Sequence, residues 1–319
     1  MRARIASSSP HRQRGAALLT AMIIVTLVAT LAAAMVWQQW RAVQVEAAER
    51  ARAQAAWILS GALDFAKLIL REDLRGGRQY TALTEPWATP LAESRLSTFL
   101  AVDKSNADDG PEAFLSGNID DAQARYNLNN LVSAEGKTVT EEVLILQNLC
   151  QAVGIETGIA GRIAAGLRDA SSSSAAAPLP PRSTAQLTWL AGVDEASVQA
   201  LSGYVVLLPR GTLINVNTAS KEVLVAAVGL DPATAENLLQ VRQRTPFKTQ
   251  EAFTKLIPPT AQTQAQSRIS VRSDFFEVRG RLRLADHVLV ERSLLQRLPN
   301  GQSNVLQRER IASLEQVGG

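Results

Sequence analysis

Two histidines and one cysteine are all the classical nucleophile and soft-metal chemistry that this 319-residue chain carries. His11 lies near the start and His287 near the end, so zinc ligation and histidine-activated nucleophilic attack lack the residues they need. Cys150 stands alone, cannot form an intrachain disulfide, and reads as a small buried apolar side chain. The stretch Asp103-Lys104-Ser105-Asn106-Ala107-Asp108-Asp109-Gly110 offers oxygen ligands suited to calcium. Its spacing is not that of a recognised calcium loop, and a solvated loop is the plainer reading. No nucleophile, base and metal come together in the sequence. The chain is therefore expected to have no catalytic residue and no cofactor, with calcium the one metal left open.

A second constellation has the look of nucleic-acid chemistry. Ile214-Asn215-Val216-Asn217-Thr218-Ala219, then Val228-Gly229-Leu230-Asp231-Pro232-Ala233-Thr234-Ala235 with Arg242 and Phe247, looks like a helix-hairpin-helix unit. Such units often aim backbone N–H groups at DNA phosphates. Here Asp231 repels phosphate and Pro232 removes a donor, leaving hairpin geometry without phosphate chemistry. The net charge of +3 is small, and Arg2, Arg4, Arg12 and Arg14 all sit in the leader, which argues against a nucleic-acid partner. A membrane-anchored DNA-binding or uptake protein is the alternative reading.

The element that must position everything else is at the N-terminus. Ala16 to Trp37 carries no charge, and as a helix it spans about 33 Å, enough for a hydrocarbon core of about 30 Å. The four leader arginines, without an acid among them, place the N-terminus in the cytoplasm and the body of the protein across the membrane. A cleaved secretory signal with Ala32-Ala33-Ala34 as its small-residue site competes with this, but the apolar run is longer than a signal core of roughly 7–15 residues. In a third reading Arg14-Gly15-Ala16-Ala17-Leu18-Leu19 resembles a type IV prepilin signal, cut by prepilin peptidase after Gly15, with the helix retained.

Beyond the apolar segment, helical spacing of Leu59, Leu63, Ala66 and Leu70 predicts one helix from about Ala16 to Leu74, ended by Gly76-Gly77. The Trp57, Leu63 and Phe65 stripe is assigned to core packing. Tyr80 to Gly117 reads as irregular, with a short strand around Tyr126 and Leu128. From Thr140 to about Ile257 short helices meet at Gly154-Ile155-Glu156, Gly192-Val193-Asp194 and Gly229-Leu230-Asp231, where glycine ends one helix and the acid caps the next. Ser171 to Pro181 is a flexible connector. Ser270 to Leu284 and His287 to Arg297 alternate as antiparallel strands; the arginines on one strand face read as solvated. The resulting division is 1–15 leader, 16–75 long helix with its membrane part at 16–37, 76–130 first part of an α/β domain, 131–265 helical insertion, 266–300 closing strands, and 301–319 flexible tail.

Taken together, Gly15-Ala16-Ala17-Leu18-Leu19, Arg125-Tyr126-Asn127-Leu128-Asn129-Asn130-Leu131, Leu207-Leu208-Pro209 leading into Ile214 to Ala219, and Phe275-Phe276 resemble the type II secretion minor pseudopilin K (GspK) family over nearly the whole chain. The resemblance implies an α+β pilin-like fold: a long N-terminal helix packed on an antiparallel sheet, with a large all-α insertion holding helix-hairpin-helix-like units. It implies a structural subunit of the pseudopilus tip, partnered by minor pseudopilins of the I and J types and by the H type. It also implies cleavage by prepilin peptidase between Gly15 and Ala16, methylation, and a single inner-membrane pass with a periplasmic C-terminal domain, without nucleic acid or small-molecule substrate. Filament subunits of the wider class carry a glutamate fifth in the mature chain, where this sequence has Thr20. An unpaired carboxylate at mid-membrane costs about 2.5–3.5 kcal/mol, so its absence suits a subunit with no partner charge ahead of it, and family K members share the departure. The sequence parts from the family in the insertion. A Trp-Asp phrase and acidic loop near calcium-binding positions are expected there, whereas Ile163-Ala164-Ala165-Gly166-Leu167-Arg168-Asp169 leads into the Ser/Ala/Pro connector.

Overall fold

Without a proline to break it, a run rich in alanine, leucine, glutamine and arginine holds one helix, α1, over Gln13–Arg75 (63 residues), about 95 Å long. The computed structural model describes residues 13–77, 79–96, 113–172, 177–284 and 287–311. The leader before Gln13, with His11, Arg2, Arg4 and Arg12, and the acidic stretch Asp103 to Gly110 lie outside the described residues. Two compact units divide the chain, residues 1–58 and 59–319.

In the first unit every side chain described from Ala16 to Arg50 is exposed. Charge returns only at Arg41, and the polar stretch that follows is laced by Arg50–Glu46 and Arg52–Glu49 ion pairs at 2.7 and 2.6 Å. Trp37 and Trp40 lie together, ring centroids 5.6 Å apart, where the apolar run ends. Such a pair suits the membrane–water boundary.

The second unit opens with the last turns of α1, whose Leu63, Ala66 and Leu70 pack against Trp87, Ile119, Phe276, Val278 and Leu295. The expected Trp57, Leu63 and Phe65 stripe is corrected. Leu63 is 5% exposed, but Trp57 is 79% and Phe65 42% exposed. At about 100° per residue these three positions cannot share a face, whereas 59, 63, 66 and 70 can. Gly77, at φ 73°, ends the helix in the left-handed region as expected.

Strands β1 (Leu91–Arg95) and β2 (Ala113–Asp121) follow. A helical insertion then runs from Ala122 to Asp274. It contains β3 (Tyr126–Asn127), α2 (Thr140–Ala152), α3 (Gly158–Ala170), α4 (Glu195–Leu201), β4 (Val205–Val206), β5 (Ile214–Asn215), α5 (Lys221–Val228), α6 (Pro232–Arg244), α7 (Gln250–Thr254), α8 (Pro259–Arg268) and β6 (Ile269–Ser270). After it come β7 (Phe275–Leu284), β8 (His287–Arg297) and β9 (Ser303–Ile311). The sheet order is β1-β2-β7-β8-β9, every neighbouring pair antiparallel. Glycines face each other at Gly117↔Gly280. A Cβ on Gly280 would come within 3.1 Å of Leu59 Cδ2, so the bare backbone lets α1 lie close to the sheet.

Three expectations about boundaries need correction. The segment read as irregular, Tyr80 to Gly117, holds β1 and the first half of β2; Gly117 and Asn118 depress strand propensity, but the long pairing with β7 overrides it. The insertion begins at Ala122, not residue 131, because Tyr126, Leu128 and Leu131 are buried in the insertion's own core and β3 pairs in parallel with β4. Ser303–Ile311, placed in a flexible tail, is a paired edge strand, polar because little of it is covered. In the connector, residues 173–176 lie outside the described residues, Leu179 is exposed and Pro181 is buried.

Candidate assembly elements and the joint of the insertion

The Gly15–Ala16 bond lies inside α1, in its first turn, two residues beyond Gln13. Thr20 points its hydroxyl back into its own helix, donating to the carbonyls of Ala16 and Ala17 at 3.0 Å each. Thr26 does the same toward Met22 and Ile23 at 3.0 and 2.9 Å. Thr30 does so toward Leu27 at 2.9 Å. These bonds turn the three threonine hydroxyls of the segment away from an apolar surround, so the helix presents hydrocarbon on all sides. Among the described residues this is the one helix long and apolar enough to cross a membrane.

The hairpins of the insertion have the geometry read from the sequence and a different chemistry. Gly154, Gly192 and Gly229 all have φ between 74° and 78°. Asp194 caps α4 through Ser197 N at 2.9 Å, and Asp231 caps α6 through Ala233 N and Thr234 N at 3.0 and 2.9 Å. The third hinge differs: Glu156 pairs with Arg162 at 2.7 Å instead of capping α3. Hydrogen bonds from Thr234, side chain and backbone, hold the Asp231 carboxyl below its ordinary range. The N–H groups that would meet a phosphate are thus already occupied by a carboxylate. Arg242 is buried, donates to Val216 O at 2.7 Å, and has its pKa drawn down to about 10 by burial. Asn217 holds Phe247 by a two-way bond, Nδ2 to Phe247 O at 2.9 Å and Phe247 N to Oδ1 at 2.8 Å. These residues brace the unit from inside.

The Arg125 to Leu131 phrase forms a latch. Asn127 Oδ1 accepts from Leu208 N at 3.1 Å while its amide donates to Arg210 O at 2.7 Å. Asn130 pairs both ways with the backbone of Thr212 at 3.0 Å, and Asn129 donates to Leu208 O. Side-chain amides here do what a neighbouring strand would do, holding the Leu207-Leu208-Pro209 segment where regular pairing stops.

Where insertion meets sheet, polar groups converge on Asp121 at the end of β2. Its Oδ2 accepts from Ser273 Oγ and Thr218 Oγ1 at 2.6 Å each and from Asn215 Nδ2 at 2.8 Å, and its Oδ1 accepts from Gln123 N at 2.8 Å. Burial raises its pKa above the ordinary 3.8 against the pull of these donors. Beside it Arg125 pairs with Glu277 at 2.9 Å, tying the insertion's first residues to β7. The basic face of β7 is partly neutralised within the sheet: Arg283 and Arg281 share Glu93 at 2.7 and 3.6 Å, and Arg279 lies 4.0 Å from Glu277.

Among the described residues no group of three or more His, Cys, Asp or Glu side chains converges as a metal would need. Asp169 is engaged by Arg168 at 2.8 Å. Cys150 is free and buried, its thiol pushed up to about 11 by desolvation.

Family models described as type II secretion system, protein K, match residues 124–210 and 214–272, the two halves of the insertion. The type II secretion system protein K of Pseudomonas aeruginosa is 29% identical, with 93% of this chain and 92% of the relative covered. That of Pectobacterium carotovorum is 30% identical, with 93% and 96% covered. A solved structure, the GspK-GspI-GspJ complex of enterotoxigenic Escherichia coli, matches at TM-score 0.67 and 20% identity over 83% of this chain and 99% of the matched one; at that identity the likeness is one of fold. With relatives of one kind spanning the N-terminal helix, the sheet and the insertion alike, the chain belongs to the type II secretion system protein K family.

Proposed function

We propose that this chain is a minor pseudopilin of the type II secretion pseudopilus, a structural subunit of its tip complex that starts or caps the filament during export of folded proteins. The observation that carries the reading is the combination of an apolar helix exposed on every side with a pilin-like sheet whose central β2–β7 pairing is bridged by a helical insertion instead of a turn. An apolar helix of that length needs lipid or other apolar helices around it. The leader arginines put the N-terminus in the cytoplasm and the sheet and insertion in the periplasm. Prepilin peptidase cuts between Gly15 and Ala16; because that bond lies in the first helical turn, glycine eases the local unwinding that cleavage requires. Thr20 leaves the helix without the carboxylate that would seek a neighbour's amine. The bulk of the insertion stops a further subunit from docking above it.

The solved GspK-GspI-GspJ complex supports pseudopilins of the I and J types as the partners here. Co-purification of the full chain with its cognate I and J subunits tests this directly, and a chain that never enters such a complex refutes the tip role. Mass spectrometry of the mature protein is expected to find Ala16 at the N-terminus; a start at Met35 would make it an ordinary secreted protein.

A further inference from the structure

The contacts around Asp121 extend further than one hydrogen-bonded carboxylate. Asn215 Nδ2, which donates to Asp121, also donates to Thr81 O at 3.0 Å. Thr81 Oγ1 accepts from Ser273 N at 3.2 Å and from Arg297 Nη2 at 3.1 Å. Arg297 also reaches Ser273 O at 2.9 Å and pairs with Asp73, in the last turn of α1, at 3.1 Å. Asp73, Thr81, Asp121, Asn215, Ser273 and Arg297 are all nearly or wholly buried. Gln123 completes the set, donating to Leu213 O at 2.9 Å and accepting from Asp274 N at 2.7 Å. Beside the apolar contact of Val206 and Leu208 with Phe275, the insertion is therefore held at the sheet's end by directional bonds in a dry environment, where each is stronger and costlier to leave unmade than in water. Apolar contact alone would let two packed bodies slide; convergent hydrogen bonds do not.

We infer that Asp121 is a positioning residue, the centre of a joint that holds the helical insertion in one orientation on the sheet, with Arg297 extending that hold to α1 through Asp73. The inference rests on the tip reading for its purpose: an insertion that bars further subunits must be held still. Hydrogen exchange of the full chain in detergent tests it. Asp121→Asn sets an amide N–H₂ against that of Asn215, so amides of Gln123, Thr218, Ala219 and Ser273 should exchange about tenfold faster, with those inside α2, α3 and the β7–β8 pair unchanged. Unchanged exchange at the joint overturns the inference, and so does a uniform rise across the unit. Should Asp121→Asn fail to fold, Thr218→Val removes a single donor and should give a smaller rise at the same amides; its absence also overturns the joint. A loosened Asp121→Asn chain that still joins its partners and supports normal secretion upholds the joint and refutes the insertion as a fixed barrier.

Discussion

Replacing Glu277 by glutamine is the sharpest probe of how the insertion is tied to the sheet. Glu277 Oε2 lies 2.9 Å from Arg125 Nη2, its side chain 11% exposed and that of Arg125 17%, with Arg292 and Arg279 at 3.9 and 4.0 Å from Oε1. Losing one partner of a fully buried pair costs about 3–5 kcal/mol, while an exposed pair contributes about 0–1. This pair stands between those limits, and glutamine keeps one hydrogen bond to Arg125, so Glu277→Gln should cost about 2 kcal/mol. For a unit of this size that is a fall in Tm of about 4–8 °C, read from thermal unfolding of the full chain in detergent. The pH dependence supplies a second, signed test. Burial pushes the Glu277 carboxyl up, but Arg125, Arg292 and Arg279 together bring it below its ordinary 4.5. A folded pKa below the unfolded one means that the stabilisation is whole above 4.5 and is lost as pH falls through the folded value. Wild type and Glu277→Gln should thus differ fully at neutral pH and converge in strong acid. An equal gap at both ends, or none at neutrality, refutes the account of Glu277 as a charge held by three arginines.

Other outcomes follow from single positions. Gly229→Ala places a side chain at φ +74° and should cost about 1 kcal/mol or more in a denaturant titration. Gly61→Ala in α1 meets nothing within 4 Å and should be neutral or stabilising by up to about 1 kcal/mol. Cys150, with its thiol pushed up to about 11, should resist maleimide labelling in the native chain at neutral pH and react fully once denatured. Thr20→Glu should lower membrane insertion in a reporter assay by less than the about 2.5–3.5 kcal/mol of a mid-membrane charge, since position 20 lies one turn inside the segment, whereas Thr20→Val, which forfeits only bonds to its own helix, should insert as wild type does.

What could be read from the sequence and what could not divides along physical lines. The long helix, its glycine stop and the hinge glycines carry their signal locally, in hydropathy, periodicity and a backbone conformation that glycine tolerates best. The capping role of Asp231 was equally legible, because an acid after such a hinge has its donors a fixed two and three residues on. β2 and β9 were not. β2 carries a glycine and an asparagine at its centre and is a strand because β7 lies beside it; β9 is an edge whose alternation faces solvent on both sides. The true start of the insertion was hidden for a similar reason. Asn127, Asn129 and Asn130 look like turn residues, and only the position of Leu208 to Thr212 shows them standing in for a strand. The role of Asp121 depends on partners about a hundred to a hundred and fifty residues away in sequence, and no local pattern announces it.

The insertion's place between two neighbouring strands sets the order in which this molecule can fold. Asp121 pairs with Phe276 as though across a tight hairpin, yet roughly 150 residues separate them, and closing so long a loop costs about 3 kcal/mol more than closing one of four residues. That cost disappears once the insertion has folded, because its two ends then emerge side by side at Asp121 and Ser273. The central pairing of the sheet should accordingly form late, and pulse-labelled refolding in which β2 and β7 gain protection ahead of α2 and α5 would contradict this. In effect a folded domain serves as the turn of a hairpin. A chain truncated within that domain loses the means of finding its sheet register along with the domain itself.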